Sequence, residues 1–188
     1  MEAFFASFAF IAVAEMGDKS QLVALAFATK YKVWQVLAGI TVATLVIHAG
    51  SVVIGRVAGD NLSATTIALT AGIAFIIFGV WTLRGDSLDD DGGTNSRGTL
   101  GPFLIVSVAF FLAELGDKTM FATITVATQY PGFFGTWLGS TAGMVVADAI
   151  AIVAGLVIGR HLPERPIKLV SATIFLIFGI WLIIDGLV

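Results

Sequence analysis

Residues 14–20 read AEMGDKS, and they interrupt a stretch, MEAFFASFAFIAVAEMGDKSQLVALAFA over residues 1–28, that is otherwise apolar enough to lie in lipid. A lone ionisable group at the centre of a bilayer costs from about 3 to more than about 10 kcal/mol. Glu15, Asp18 and Lys19 fall within five residues of one another at that depth. Such groups face the interior of a bundle and mark an ion pathway, a proton relay or a tightly paired contact.

Composition sets the surroundings. The chain has 188 residues, 57% of them hydrophobic and only 12% charged, with no cysteine and a formal net charge of −3. An ordinary soluble domain carries about 25% charged residues, so the sequence reads as an all-α integral membrane protein. The missing cysteine removes disulfides, thiolate metal sites and thiol catalysis together. Nothing in the charge points to a nucleic-acid partner. The first residues lack the basic start and small-residue cleavage site of a secretory signal and read as the first span.

A window of about 20 residues, the length a helix needs to cross the hydrocarbon core, places six spans near residues 4–28, 34–55, 64–83, 103–127, 133–158 and 167–187. Residues 84–98, RGDSLDDDGGTNSRG, form the long connection, and its Gly, Asp, Ser and Asn content reads as a solvated linker. The acidic run at Asp89, Asp90 and Asp91 could attract cations electrostatically, but it reads more simply as part of that solvated loop. The expected organisation is a first repeat over 1–84, an acidic cytoplasmic linker over 85–99 and a second repeat over 100–188.

The two halves echo each other. AEMGDKS at 14–20 returns as AELGDKT at 113–119, and FIIFGVW at 75–81 returns as FLIFGIW at 175–181. Three spans per half is an odd number, so the second half enters the membrane from the opposite side and the repeat is inverted, as in many secondary transporters with sites near the midplane. Lys30, Lys32, Arg84, Arg97, Arg160, Arg165 and Lys168 follow spans one, three and five, whereas Arg56 alone stands on the other side. The positive-inside rule then makes those connections cytoplasmic, with both termini outside.

On a continuous helix Glu15, Asp18 and Lys19 share one face, and Glu114, Asp117 and Lys118 repeat the arrangement. Both clusters fall near mid-span. Gly17 and Gly116 permit either a close helix approach or a local break that frees carbonyls. Four carboxylates against two lysines leave an excess of two negative charges, which one divalent cation or two protons would neutralise. Hard oxygen donors suit Mg²⁺, Ca²⁺ or Mn²⁺ better than Zn²⁺ or Cu⁺. Ser20 and Thr119 would add hydroxyl oxygens or orient the acids. The competing reading, an ion pair four residues apart that merely joins two helices, leaves the acidic excess of the two copies unexplained.

The twin E-x-G-D-K-[ST] motifs, one per half, strongly resemble those of the Gdt-type cation/proton exchangers, a family of bacterial manganese exporters and Golgi manganese/calcium transporters. The resemblance covers essentially the whole chain. It implies export of Mn²⁺, or alternatively Ca²⁺, in exchange for protons, with Glu15, Asp18, Glu114 and Asp117 as the metal site. It also implies a transported cation in place of a permanent cofactor, no enzymatic activity, and a bacterial inner membrane as the location. A divalent-cation channel and an intramembrane metalloenzyme are the further alternatives, although no additional nucleophile or base stands out for an enzyme.

Other polar positions fall within the spans. His48 and Asp148 lie 100 residues apart at equivalent places. Either could relay protons, Asp148 could extend the acidic site, and His48 reads most simply as a buried, hydrogen-bonded histidine. Gln21 and Met120 occupy the same motif position. The Met120 thioether is a softer donor that would favour Mn²⁺ over Ca²⁺, or simply a space-filler. Gly139 with Gly143, and Gly155 with Gly159, form G-x-x-x-G pairs that read as packing devices. Trp34, Trp81, Trp137 and Trp181 fall near span ends and read as interfacial anchors.

Overall fold

A computed structural model describes residues 1–84, 101–130, 132–158 and 164–187. The expected acidic linker over 85–99 and Gly159 lie outside the described residues. Every described element is a helix: α1 (Glu2–Glu15), α2 (Lys19–Ala28), α3 (Val33–Asn61), α4 (Ala64–Arg84), α5 (Pro102–Glu114), α6 (Lys118–Gln129), α7 (Phe133–Ile158) and α8 (Glu164–Leu187).

Hydropathy predicts six spans, and the described residues form eight helices. The first and fourth expected spans are each broken at the motif, between α1 and α2 and between α5 and α6. The cause is local. Gly17 and Gly116 adopt φ of 77° and 82°, the left-handed region in which a side chain meets the following carbonyl, and no α-helix continues through it. Of the two options open to these glycines, the break is the one observed.

Among the described residues, two helices are long and apolar enough to cross a membrane, Val33–Asn61 and Phe133–Val157, with mean hydropathies of 2.1 and 1.9. Shorter apolar stretches run over Thr65–Ile77, Pro102–Glu114 and Ala172–Leu187. Polarity is distributed inside out. Val46, Val53 and Val57 of α3, Ile150 and Val153 of α7, and Ile177 and Ile184 of α8 are exposed, whereas Glu15, Ser20, His48, Thr119 and Asp148 are buried. Water would penalise that outer surface and lipid would not. The chain is an integral membrane protein.

Packing runs between the halves more than within them. The broken helix α1–α2 lies along α7, the broken helix α5–α6 lies along α3, α3 crosses α7, and α4 lies along α8; contacts inside either half, such as α2 with α3 or α6 with α7, are slight. Small residues make the approaches close. A Cβ on Gly143 would stand 2.5 Å from the Phe8 carbonyl oxygen, and one on Gly39 would stand 2.9 Å from Val106. Gly139 likewise lies against the backbone of Phe4, so the Gly139/Gly143 pair acts as a packing device. Trp137, expected as an interfacial anchor, donates its indole N–H to the Leu45 carbonyl of α3 at 2.8 Å and ties α7 to that helix. Thr44 of α3 and Met144 of α7, 100 residues apart in sequence, touch directly, hydroxyl to sulfur at 3.4 Å.

Candidate metal centre

The two breaks are built alike. α1 ends at Glu15, Met16 turns extended, Gly17 takes positive φ, and Asp18, again extended, precedes the first residue of α2. In the second half Glu114, Leu115, Gly116 and Asp117 repeat these roles ahead of α6. Each Glu thus closes one half-helix and each Asp opens the next. The sequence expectation of one shared helical face is corrected here, since the break in the helix separates Glu from Asp. The C-terminal ends of α1 and α5 carry the negative end of the helix dipole and carbonyls without helical partners, which favour a cation beside Glu15 and Glu114.

Side chains hold each break. The Gly17 N–H donates to Gln21 Oε1 at 2.9 Å, and the Gln21 amide donates onward to the Ala147 carbonyl of α7 at 3.2 Å. The Gly116 N–H donates to Met120 Sδ at 3.3 Å. A thioether cannot donate in turn, so Met120 closes the turn of its own break without reaching α3 by that route. Its sulfur is engaged by a backbone N–H.

The carboxylates converge across the halves. Glu15, Asp18 and Glu114 are buried, and one oxygen from each lies within 4.8 Å of the others. Asp117 is buried beside Glu114, outside that three-oxygen group. Ser20 donates its hydroxyl to Glu15 Oε1 and also lies 3.2 Å from Asp18 Oδ2. Thr119 donates to Glu114 Oε2 at 2.7 Å. These bonds fix one oxygen of each Glu and leave Glu15 Oε2 and Glu114 Oε1 buried without a hydrogen-bond partner among the described residues. Lys118 of α6 reaches Asp18 of the other half, Nζ to Oδ1 2.6 Å. This is not the pair four residues apart within one motif that the sequence offered as its alternative. Lys19 opens α2.

His48 and Asp148 do not share one environment. Both are buried, on α3 and α7. Asp148 stands within electrostatic reach of Glu15, Asp18 and Glu114. No charged side chain among the described residues acts comparably on His48, and its Nδ1 has no hydrogen-bond partner there, so the expected hydrogen bond at that atom is not found. A cavity of about 500 Å³ opens between α1 and α6 on one side and α4 and α8 on the other, lined by Phe10, Val13, Phe75, Gln129, Tyr130 and Trp181. Its wall reaches Val13, two residues short of Glu15, and contains none of the carboxylates.

Buried hard oxygens from two broken helices, with Glu15 Oε2 and Glu114 Oε1 without hydrogen-bond partners among the described residues, are what a divalent cation requires. The family model for the divalent cation/proton antiporter GDT1 matches residues 3–90 and 102–188. The chain belongs to the GDT1 family. A Vibrio cholerae protein named "Putative manganese exporter" is 36% identical over 173 residues, covering 90% of this chain and 84% of that protein. GDT1-like protein 2, chloroplastic, of Oryza sativa subsp. japonica is 30% identical over 208 residues, covering 94% of this chain and 59% of its own length. GDT1-like protein 3 of Arabidopsis thaliana is 26% identical over 204 residues, covering 95% of this chain and 69% of its own. No solved structure matches the chain. Membership in this family makes the chain a divalent-cation transporter and sets the metalloenzyme alternative aside.

Proposed function

We propose that this protein is a secondary active transporter that exports a divalent cation in exchange for protons, with Mn²⁺ as the first substrate and Ca²⁺ as the alternative. The observation that carries the reading is the meeting of Glu15, Asp18 and Glu114, acids from both halves, within 4.8 Å in a buried setting. Asp117, adjacent to Glu114, completes the proposed ligand set. Ser20 and Thr119 orient the two glutamates, and Lys118 trims the negative charge of the site before metal binds. The preference for Mn²⁺ draws on the name of the Vibrio cholerae relative, since the Met120 sulfur is engaged at the Gly116 N–H.

The chain crosses the membrane six times in this reading, as two inverted three-span repeats in which α1–α2 and α5–α6 serve as broken spans. The reciprocal packing of each broken helix on the long helix of the other half supports it. Both termini lie outside, the linker over 85–99 is cytoplasmic, and the membrane is a bacterial inner membrane. Metal and protons use the same carboxylates, so loading one displaces the other, and alternating exposure of that one site couples their opposite movements.

Purified protein in liposomes tests this directly. An outwardly directed proton gradient should drive Mn²⁺ uptake, and Mn²⁺ added to one side should release protons to that side. Mn²⁺ flux that ignores the pH gradient would leave the channel reading in its place.

A further inference from the structure

We infer that Asp148 supplies a further oxygen to the transported cation and draws it toward the Glu15–Asp18 side of the site. The inference rests on the transport reading above and extends its ligand set to a residue outside both motifs.

Asp148 lies on α7, is fully buried, and neither of its carboxylate oxygens has a hydrogen-bond partner among the described residues. A carboxylate offers about four lone-pair sites, and burying it without donors is among the costlier arrangements a fold can hold. Its electrostatic neighbours are Glu15, Asp18 and Glu114, all acidic. The described ammonium of the site, Lys118, is already committed to Asp18 at 2.6 Å. Among the described residues no positive charge is left to face Asp148, and a divalent cation would supply it.

The backbone around Asp148 is tied to the site. The carbonyl of Ala147, the preceding residue, receives the Gln21 amide, and Gln21 Oε1 receives the Gly17 N–H. This two-bond relay holds α7 against the break that carries Glu15 and Asp18. The counterpart position 100 residues earlier, His48, has no comparable charged neighbours among the described residues. The first motif thus gains an acidic companion from the opposite half, and the second motif gains none from His48. The centre is lopsided although its two motifs match.

Mn²⁺ titration of the full-length protein in detergent at fixed pH, together with melting curves with and without metal, tests this. Asp148→Asn should weaken Mn²⁺ binding at least about tenfold, a loss common to disturbed metal sites. Without metal it should melt no lower than wild type, because an unpartnered buried charge has been removed. Asp148→His replaces a hard oxygen by the imidazole found at position 48 and should lower Ca²⁺ affinity relative to Mn²⁺, a change in ratio that a structural role would not produce. Wild-type Mn²⁺ affinity in Asp148→Asn, beside clear loss in Glu114→Gln, would overturn the inference and leave the proposed site standing. So would an Asp148→His protein with an unchanged Ca²⁺ to Mn²⁺ ratio. Absence of Mn²⁺ and Ca²⁺ binding in the wild type would remove the transport reading and this inference together.

Discussion

Lys118 of the second half holds Asp18 of the first, Nζ to Oδ1 2.6 Å, while Glu114 in its own half is bonded by Thr119. The ammonium thus occupies a position between acids of the two halves that a metal ion would contest. Breaking a buried pair by removing one partner costs about 3 to 5 kcal/mol. Lys118→Ala should therefore lower the melting temperature of metal-free protein strongly. Added Mn²⁺ should then raise its melting temperature by more than it raises that of wild type, since the cation takes over the lost charge. Equal rises would mean that ammonium and metal do not compete for one place.

The shared-carboxylate mechanism has a definite sign with pH. Metal binds the deprotonated acids, so affinity for Mn²⁺ should rise between about pH 6 and pH 9 in the wild type. Glu114→Gln and Glu15→Gln each remove one titratable group while keeping shape and a carbonyl oxygen. Both should bind more weakly, and their affinity should climb less steeply with pH. A flat wild-type profile over this range would separate the proton route from these acids.

Gly116 isolates the effect of the break. Its φ is +82°, and a Cβ built there would meet nothing within 4 Å, so replacement adds conformational strain without a clash. Gly116→Ala should cost about 1 to 2 kcal/mol, the penalty of a left-handed non-glycine residue. Gly116→Asn should cost less, because asparagine tolerates that region. Melting curves should rank wild type above Asn above Ala, and Mn²⁺ affinity should follow the same order.

Orientation is tested by labelling. Single cysteines placed between residues 86 and 96 should react only with reagent supplied from the cytoplasm, and those at residue 2 or 188 only from outside. The opposite pattern would reverse the orientation while leaving the packing intact.

The motif pair and the apolar stretches around it were readable from residues alone, because hydropathy and repetition are properties of the linear chain. Gly17 and Gly116 signalled a possible break, yet an apolar stretch of 25 residues looks the same whether or not one φ angle within it is positive. The cross-half bond of Lys118 was beyond reach for a different reason. Sequence spacing reports neighbours three or four residues apart, and it pairs Lys118 with Glu114, whereas Thr119 takes Glu114 and leaves the lysine to Asp18. Gln21 and Met120 were visibly equivalent, but what they do depends on whether the side chain can donate as well as accept. Asp148 and His48 align as counterparts by spacing, and nothing in that alignment shows which of them has carboxylates for neighbours.

The interlocked packing of the halves makes each of them an incomplete object. α1–α2 finds its support on α7, α5–α6 on α3, and α4 on α8, so a fragment of either half alone presents glycine-lined grooves and buried acids with nothing to cover them. Cut within residues 85–100, the chain becomes in effect an obligate heterodimer. Residues 1–84 and 101–188 expressed separately should be cleared by proteolysis. Produced together, they should assemble, copurify and regain Mn²⁺ binding.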